Sequence, residues 1–164
     1  MDTKKIFAII IVALALFSCM NVASAGMFDF FNDLGGGEQN ETFTINGFTL
    51  DFPKGTTISD SNYTDDGVTT EQYIINVPNS TDFVTVEIFY GPNSVDTVDE
   101  YVSNWESDNS GHSMGKYNGW TIIKEDTNSV RKYELVLQDG NRFISIGGDN
   151  LAYLKNVADT YKKL

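Results

Sequence analysis

Residues 43–52, FTINGFTLDF, constrain the fold more than any other stretch of this chain. Asn46-Gly47 is the preferred pair for a two-residue hairpin turn, because both central positions need positive φ. Such a turn places Ile45 opposite Phe48 and Phe43 opposite Leu50. Alternation then puts those four side chains and Phe52 on one face, and Thr44, Thr49 and Asp51 on the other. Turn chemistry and apolar pattern agree, which is how a sequence specifies one local structure. Pro53 and Gly55 end the ribbon.

Further strands are predicted at residues 70–77 and 83–90, both rich in β-branched and aromatic side chains. Residues 60–67 read as the polar connection ahead of the first. Asp139-Gly140 marks a second hairpin turn, pairing Leu135 with Ile144 and Tyr133 with Ile146, and residues 119–125 supply the strand before it. One helix is expected from a capping box of Thr97 and Glu100, with the apolar stripe Val98, Tyr101, Val102 and Trp105. A second follows Asp149 as N-cap. It carries Leu151, Leu154, Ala158 and Tyr161, with Lys162 and Lys163 at the negative end of its dipole. The fold class expected is therefore α+β: a mainly antiparallel sheet of about six or seven strands covered by two helices. The order is strands, helix, strands, helix, after an N-terminal signal helix.

The start of the chain has a different character. Lys4 and Lys5 precede an uncharged apolar run at residues 6–17, and Ala23-Ser24-Ala25 has the small-x-small form of a signal peptidase site. Cleavage between Ala25 and Gly26 is the expected outcome. Two others stay open: a lipid on Cys19, from the Leu16-Phe17-Ser18-Cys19 resemblance to a lipoprotein box, and an uncleaved membrane anchor. Cys19 is the one cysteine in the chain, so cleavage after Ala25 leaves none for a disulfide. Met27, Phe30, Phe31 and Leu34 form one stripe of a short amphipathic segment, and Gly35-Gly36-Gly37 is a hinge. The expected division is a signal peptide at 1–25, an amphipathic segment and Gly-rich linker at 26–40, and a single domain at 41–164.

Charge narrows the partners. The chain holds 23 acids and 11 bases, net −12. Residues 1–25 contain Asp2, Lys4 and Lys5, which leaves 22 acids against 9 bases, or −13, for the remainder. Such a surface repels phosphate backbones and anionic lipid heads, so no nucleic acid is expected, and membrane contact only through the N-terminal segment. Its plainest role is to keep an extracytoplasmic protein soluble.

Several motifs invite chemistry without completing it. Gly111-His112-Ser113-Met114-Gly115 fits G-x-S-x-G, but a nucleophile elbow lies between a strand and a helix and needs a later histidine. His112 is the single histidine and sits inside the motif, so the stretch reads as a polar loop and no catalytic residue is assigned. Asp60, Asn62, Thr64, Asp65 and Asp66 gather oxygen ligands, yet Gly67 falls one place late for an EF-hand loop and the closing acid is missing. A solvated acidic turn is expected, with no metal site tighter than the millimolar range and no cofactor. Trp105, Trp120 and the Tyr and Phe residues are assigned to core and half-buried strand positions. Sequons at Asn40, Asn62 and Asn79 fall in expected linkers or turns, where a glycan fits if the host glycosylates.

The phrase Gly47-Phe-Thr-Leu-Asp-Phe-Pro-Lys-Gly55, a mid-chain helix and a final helix after a strand resemble the PsbP-like group over residues 42–164. The export signal, Asn-rich domain and Phe-Asp-Phe-Phe start resemble small exported proteins of methanogenic archaea. The PsbP-like resemblance implies a binding or accessory subunit rather than an enzyme. The expected function is an exported, non-catalytic surface or accessory domain, secreted or tethered at the cell surface, that binds an unidentified cell-envelope protein or polymer. The alternative is an extracytoplasmic carrier of a small ligand or cation.

Overall fold

The computed structural model describes residues 40–78, 80, 83–127 and 130–164. The signal segment with Ala25 and Gly26, the amphipathic stripe at 27–34 and the Asn79 sequon site lie outside the described residues. The chain runs β1 (Asn40–Ile45), β2 (Phe48–Pro53), β3 (Thr57–Asp65), β4 (Val68–Asn76), β5 (Val84–Tyr90) and α1 (Val98–Ser107). It continues β6 (Gly111–Tyr117), β7 (Trp120–Glu125), β8 (Tyr133–Asp139), β9 (Arg142–Gly148), α2 (Leu151–Asp159) and β10 (Lys162–Lys163).

These elements correct the expected α+β fold with one sheet of six or seven strands under two helices. Strand accounts for 55% of the described residues and helix for 16%. The strands form two sheets: a seven-stranded one ordered β3-β4-β5-β9-β8-β7-β6, and a three-stranded one ordered β1-β2-β10. The reason lies in the edges. Residues 57–65 and 111–117 are polar on both faces, so neither shows the alternation that marks a half-buried strand. Both are the outer strands of the large sheet, where one neighbour and solvent suffice. The polar connection expected at 60–67 is thus mostly β3, and the polar loop expected at 111–115 lies within β6.

The first hairpin pairs Ile45 with Phe48 and Phe43 with Leu50, and Asn46 (φ 32°) and Gly47 (φ 86°) make the turn. The second hairpin turns one residue later than expected. Asp139 pairs with Arg142, so Gly140-Asn141 forms the turn, and Leu135 faces Ile146 rather than Ile144. Of the two turn residues Gly140 alone has positive φ (67°), as a II′ turn requires. An ion pair between Arg142 Nη2 and Asp139 Oδ2 (2.8 Å) brackets it. The shift moves each partner by two residues, so every side chain keeps its face.

The large sheet is covered on both faces. Val84, Val86, Ile88, Ile144, Ile146 and Leu135 point to one side, where they meet Phe48, Leu50 and Phe52 of the small sheet and Leu154, Val157 and Ala158 of α2. Phe89, Phe143, Ile123 and Val136 point to the other, beneath Tyr101 and Trp105 of α1. Thr97 caps α1 by accepting from the Glu100 N–H (3.1 Å), while the Glu100 carboxylate accepts from the Asp96 N–H (2.9 Å). The N-cap of α2 is Asn150, accepting from the Tyr153 N–H (3.2 Å), rather than the expected Asp149. Lys162 and Lys163 do not end that helix. They pair with Thr49 and Phe48 of β2, and the Leu164 N–H reaches the Gly47 carbonyl at 3.0 Å. Tyr161, just before, packs edge-on to Trp120 at 5.6 Å.

Among the described residues, 40–164 supply two continuous cores, one on each face of the large sheet. A polypeptide of residues 40–164 is therefore expected to melt cooperatively, with a circular dichroism spectrum dominated by strand. A helical spectrum or a broad, uncooperative melt would count against the two-sheet arrangement.

Candidate functional site

The least expected chemistry lies under α1. Alternation along β5, β8 and β9 sends Glu87, Glu134 and Ser145 to the face opposite the larger core, a face that ordinarily meets water. Here α1 closes over it. Glu87 is 3% exposed, Glu125 at the end of β7 is 6%, and Glu134 and Ser145 are 0%. Arg131, from the segment leading into β8, lies among them at 1%.

Arg131 serves several partners at once. Its Nε donates to Glu125 Oε1, its Nη1 to Glu87 Oε2 at 3.3 Å, and its guanidinium lies 5.9 Å from the centre of the Trp105 ring. The side chain crosses β9 at Gly147, where a Cβ would overlap the Arg131 stem. Glycine there gives the arginine room to lie flat across the sheet. Glu87 also accepts from Gln72 Nε2 (2.7 Å) on β4. Glu134 Oε1 accepts from the Tyr101 hydroxyl (3.0 Å) and from Ser145 Oγ. Tyr101 stacks on Phe89 at 5.1 Å and Phe89 on Phe143 at 5.3 Å, so an aromatic column adjoins the polar cluster.

Three carboxyls share one guanidinium, and the electrostatics follow. Burial pushes the Glu125 carboxyl up to about 7, against the opposing pull of Arg131. Burial also raises Glu134, again opposed by Arg131. Burial and the nearby Glu134 carry the Tyr101 hydroxyl well above its ordinary value. For Arg131, burial works against the charge, but Glu134, Glu125 and Glu87 outweigh it and hold the guanidinium protonated. A carboxyl with raised proton affinity suits general acid chemistry, yet such a group must reach its substrate. Glu125 and Glu134 are enclosed by the sheet and α1, at 6% and 0% exposure.

A second network secures the first hairpin to the large sheet. Asn46 Nδ2 donates to Glu71 at 2.8 Å, and the Tyr73 and Tyr90 hydroxyls donate to the same carboxylate at 2.9 and 3.1 Å. Arg142 Nη1 donates to the Asn46 carbonyl (2.6 Å), and Asp139 holds both Arg142 and Lys163. Burial and the Glu71 bond push Tyr73 up to about 12. The bond from Lys163, opposed by partial burial, lowers the Asp139 carboxyl.

The motif residues take other places. Ser113 is exposed on β6, between α1 and β7, and its Oγ accepts from the Gly115 N–H at 3.2 Å. His112, the neighbouring residue, pairs through Nδ1 with Asp126 Oδ2 at 2.6 Å. Asp60 and Asn62 are exposed on β3, and Asp65 closes that strand before the Asp66-Gly67 turn. Among the described residues no group of three or more His, Cys, Asp or Glu is arranged to hold a metal ion. Asn40 and Asn62 are exposed, but both lie in strands rather than the linkers or turns expected.

Sequence reasoning missed the cluster itself. Its signal was present: Glu87 interrupts VTVEIFY and Glu134 interrupts YELVL, each a charge inside an otherwise apolar run. No family model, no curated protein and no solved structure matches the chain, and nothing in those comparisons bears on the PsbP-like resemblance.

Proposed function

We propose that this chain is an exported, non-catalytic surface or accessory domain that binds a cell-envelope protein or polymer. The observation that carries the non-catalytic part is the enclosure of Glu87, Glu125, Glu134 and Arg131 at 0–6% exposure, with Arg131 paired to Glu87 and Glu125 and Glu134 bonded to Tyr101 and Ser145. The carboxyls with raised proton affinity serve the interior, while Ser113 and His112 sit side by side on an edge strand. Adjacent strand residues point to opposite faces, so His112 cannot take a proton from Ser113. The export part rests on Lys4, Lys5, the apolar run at 6–17 and Ala23-Ser24-Ala25. The excess of acids after residue 25 suits a soluble extracytoplasmic surface.

The test has two arms. Mass spectrometry of the chain recovered from its host is expected to find Gly26 at the N-terminus in the extracytoplasmic fraction. Intact Met1 on cytosolic protein would overturn export. The purified protein is expected to lack ester hydrolysis, with Ser113→Ala changing stability by no more than about 0.5 kcal/mol. Ester turnover abolished by that substitution would overturn the non-catalytic reading.

A further inference from the structure

Among the described residues the seven-stranded sheet has two edges, and they differ. Strand β6 carries Lys116, has a register shift between Ser113 and Gly115, and lies beside α1. A bulge and a lysine are the usual means of keeping a sheet edge from recruiting another strand. Strand β3 has neither. Its nine residues pair with β4 in unbroken register from Thr57–Asn76 to Asp65–Val68, without proline, lysine or arginine. Six of its nine residues are exposed and the other three partly so.

The geometry points to β3 as a self-pairing edge: two copies of this chain join β3 to β3, antiparallel about a two-fold axis at Ser61. This rests on the strand alone and does not depend on export. Asp66 (φ 45°) and Gly67 (φ 78°) make a two-residue turn, so Asp65 and Val68 are a hydrogen-bonded pair. Alternation then turns the backbone N–H and C=O of Ile58, Asp60, Asn62 and Thr64 outward, away from β4. A two-fold axis at Ser61 sets Asp60 opposite Asn62 and Ile58 opposite Thr64 of the second copy. All four outward-facing residues are thereby matched to outward-facing residues, with two backbone hydrogen bonds per pair.

The side chains agree with that register. Asp60 meets an asparagine amide, Tyr63 meets Ser59 and Asp65 meets Thr57, so no like charges stand directly opposite one another. The strand is also polar in charge: Lys54 precedes it, and Asp65 and Asp66 end it. Antiparallel pairing carries Lys54 of each copy toward the acidic turn of the other, which offsets part of the repulsion between two acidic molecules. A contact of this kind is isologous and closes at two copies rather than growing into a fibre. It also needs Asn62 unmodified, because a glycan there occupies the position of the facing Asp60.

Ser61 on the axis is a non-hydrogen-bonded pair with itself, the arrangement in which opposed side chains come closest. Its Cα separation, about 4.5 Å, falls within the range a disulfide spans. In the full chain with Cys19→Ser, Ser61→Cys is expected to give the dominant disulfide-linked dimer under mild oxidation. Asn62→Cys and Ser59→Cys, which face other residue types, should give little. Sedimentation of residues 26–164 should show a concentration-dependent dimer, dispersed by Ser61→Lys, with equal melting temperatures for the two proteins at dilutions where both are monomers. A monomer at every concentration would overturn the proposal. So would a dimer whose strongest crosslink lies on β6 or β1, or a monomeric edge that instead binds a basic extended peptide.

Discussion

Arg131→Met is expected to destabilise the domain by about 3–5 kcal/mol near pH 8, the range for removing one partner of a buried ion pair. Methionine fills much of the space but leaves Glu87, Glu125 and Glu134 facing one another without a cation. The three carboxyls can escape that repulsion by binding protons, so the cost should shrink in acid. Urea unfolding of both proteins at pH 5 and pH 8 checks both features. A cost below about 1 kcal/mol that is the same at both pH values would mean that the cluster does not depend on its arginine. Arg142→Met is the natural comparison. Arg142 is partly exposed, and its partner Asp139 keeps Lys163, so the loss there should be smaller.

Gly91→Ala is expected to be comparably damaging for a reason unrelated to charge. Gly91 follows β5 with φ +138°, and a Cβ there would overlap the carbonyl oxygen of Gly67 in the β3–β4 turn. Val68 Cα stands 3.2 Å from the same point, so backbone rather than an adaptable side chain blocks the space. Either the turn moves or the Thr69–Tyr90 end of the β4–β5 ladder opens. A loss of about 3 kcal/mol or more is expected, at the upper end of overpacking costs. Gly115→Ala isolates the backbone part, since Gly115 has φ +102° and nothing within 4 Å of the added carbon. It should lose only about 1–2 kcal/mol. Thermal melts of the two variants with equal losses would show that the contact with Gly67 is unimportant.

Local chemistry explains which parts of this fold could be read from sequence. The turn at Asn46-Gly47, the Thr97 cap and the stripe Tyr101–Trp105 are decided by neighbours in the chain, and the structure keeps them. Two more two-residue hairpin turns carry the same signature without reading as hairpins in the sequence: Asp66-Gly67, which reads only as part of a solvated acidic turn, and Asn118-Gly119, each with positive φ at both residues. Each turn has a polar edge strand, β3 or β6, on one side, so the turn signal stood without the apolar alternation on both sides that ordinarily accompanies it. The division into two sheets was not legible, because it depends on Lys162 and Lys163 returning to β2 from the far end of the chain. The cluster under α1 was hidden for a related reason. Thr85, Glu87 and Ser145 look like a solvent face until a helix more than thirty residues from Ser145 covers them. Only Gly147 hints at the close approach of Arg131.

The domain buries a cluster with more carboxyls than cations, and the protonation of Glu125 reports on it most directly. The folded chain keeps the Glu125 proton up to about pH 7, whereas the ordinary value is 4.5. Between those values the folded state holds a proton that the unfolded state has released. The stability from this group is therefore complete below about pH 4.5 and is lost as pH rises through about 7, a change of roughly 3 kcal/mol. Glu134, raised by burial, acts in the same direction. Asp139, lowered mainly by its bond from Lys163, acts oppositely, adding stability that is lost only as pH falls through its depressed value, below 3.8. The decisive measurement is a carbon-13 NMR titration of the glutamate side-chain carboxyls, with Glu125 assigned by Glu125→Gln. A Glu125 midpoint near 7, together with a melting temperature that falls from pH 5 to pH 8, is the predicted result. A midpoint near 4.5 with a melting temperature flat over that interval would contradict it.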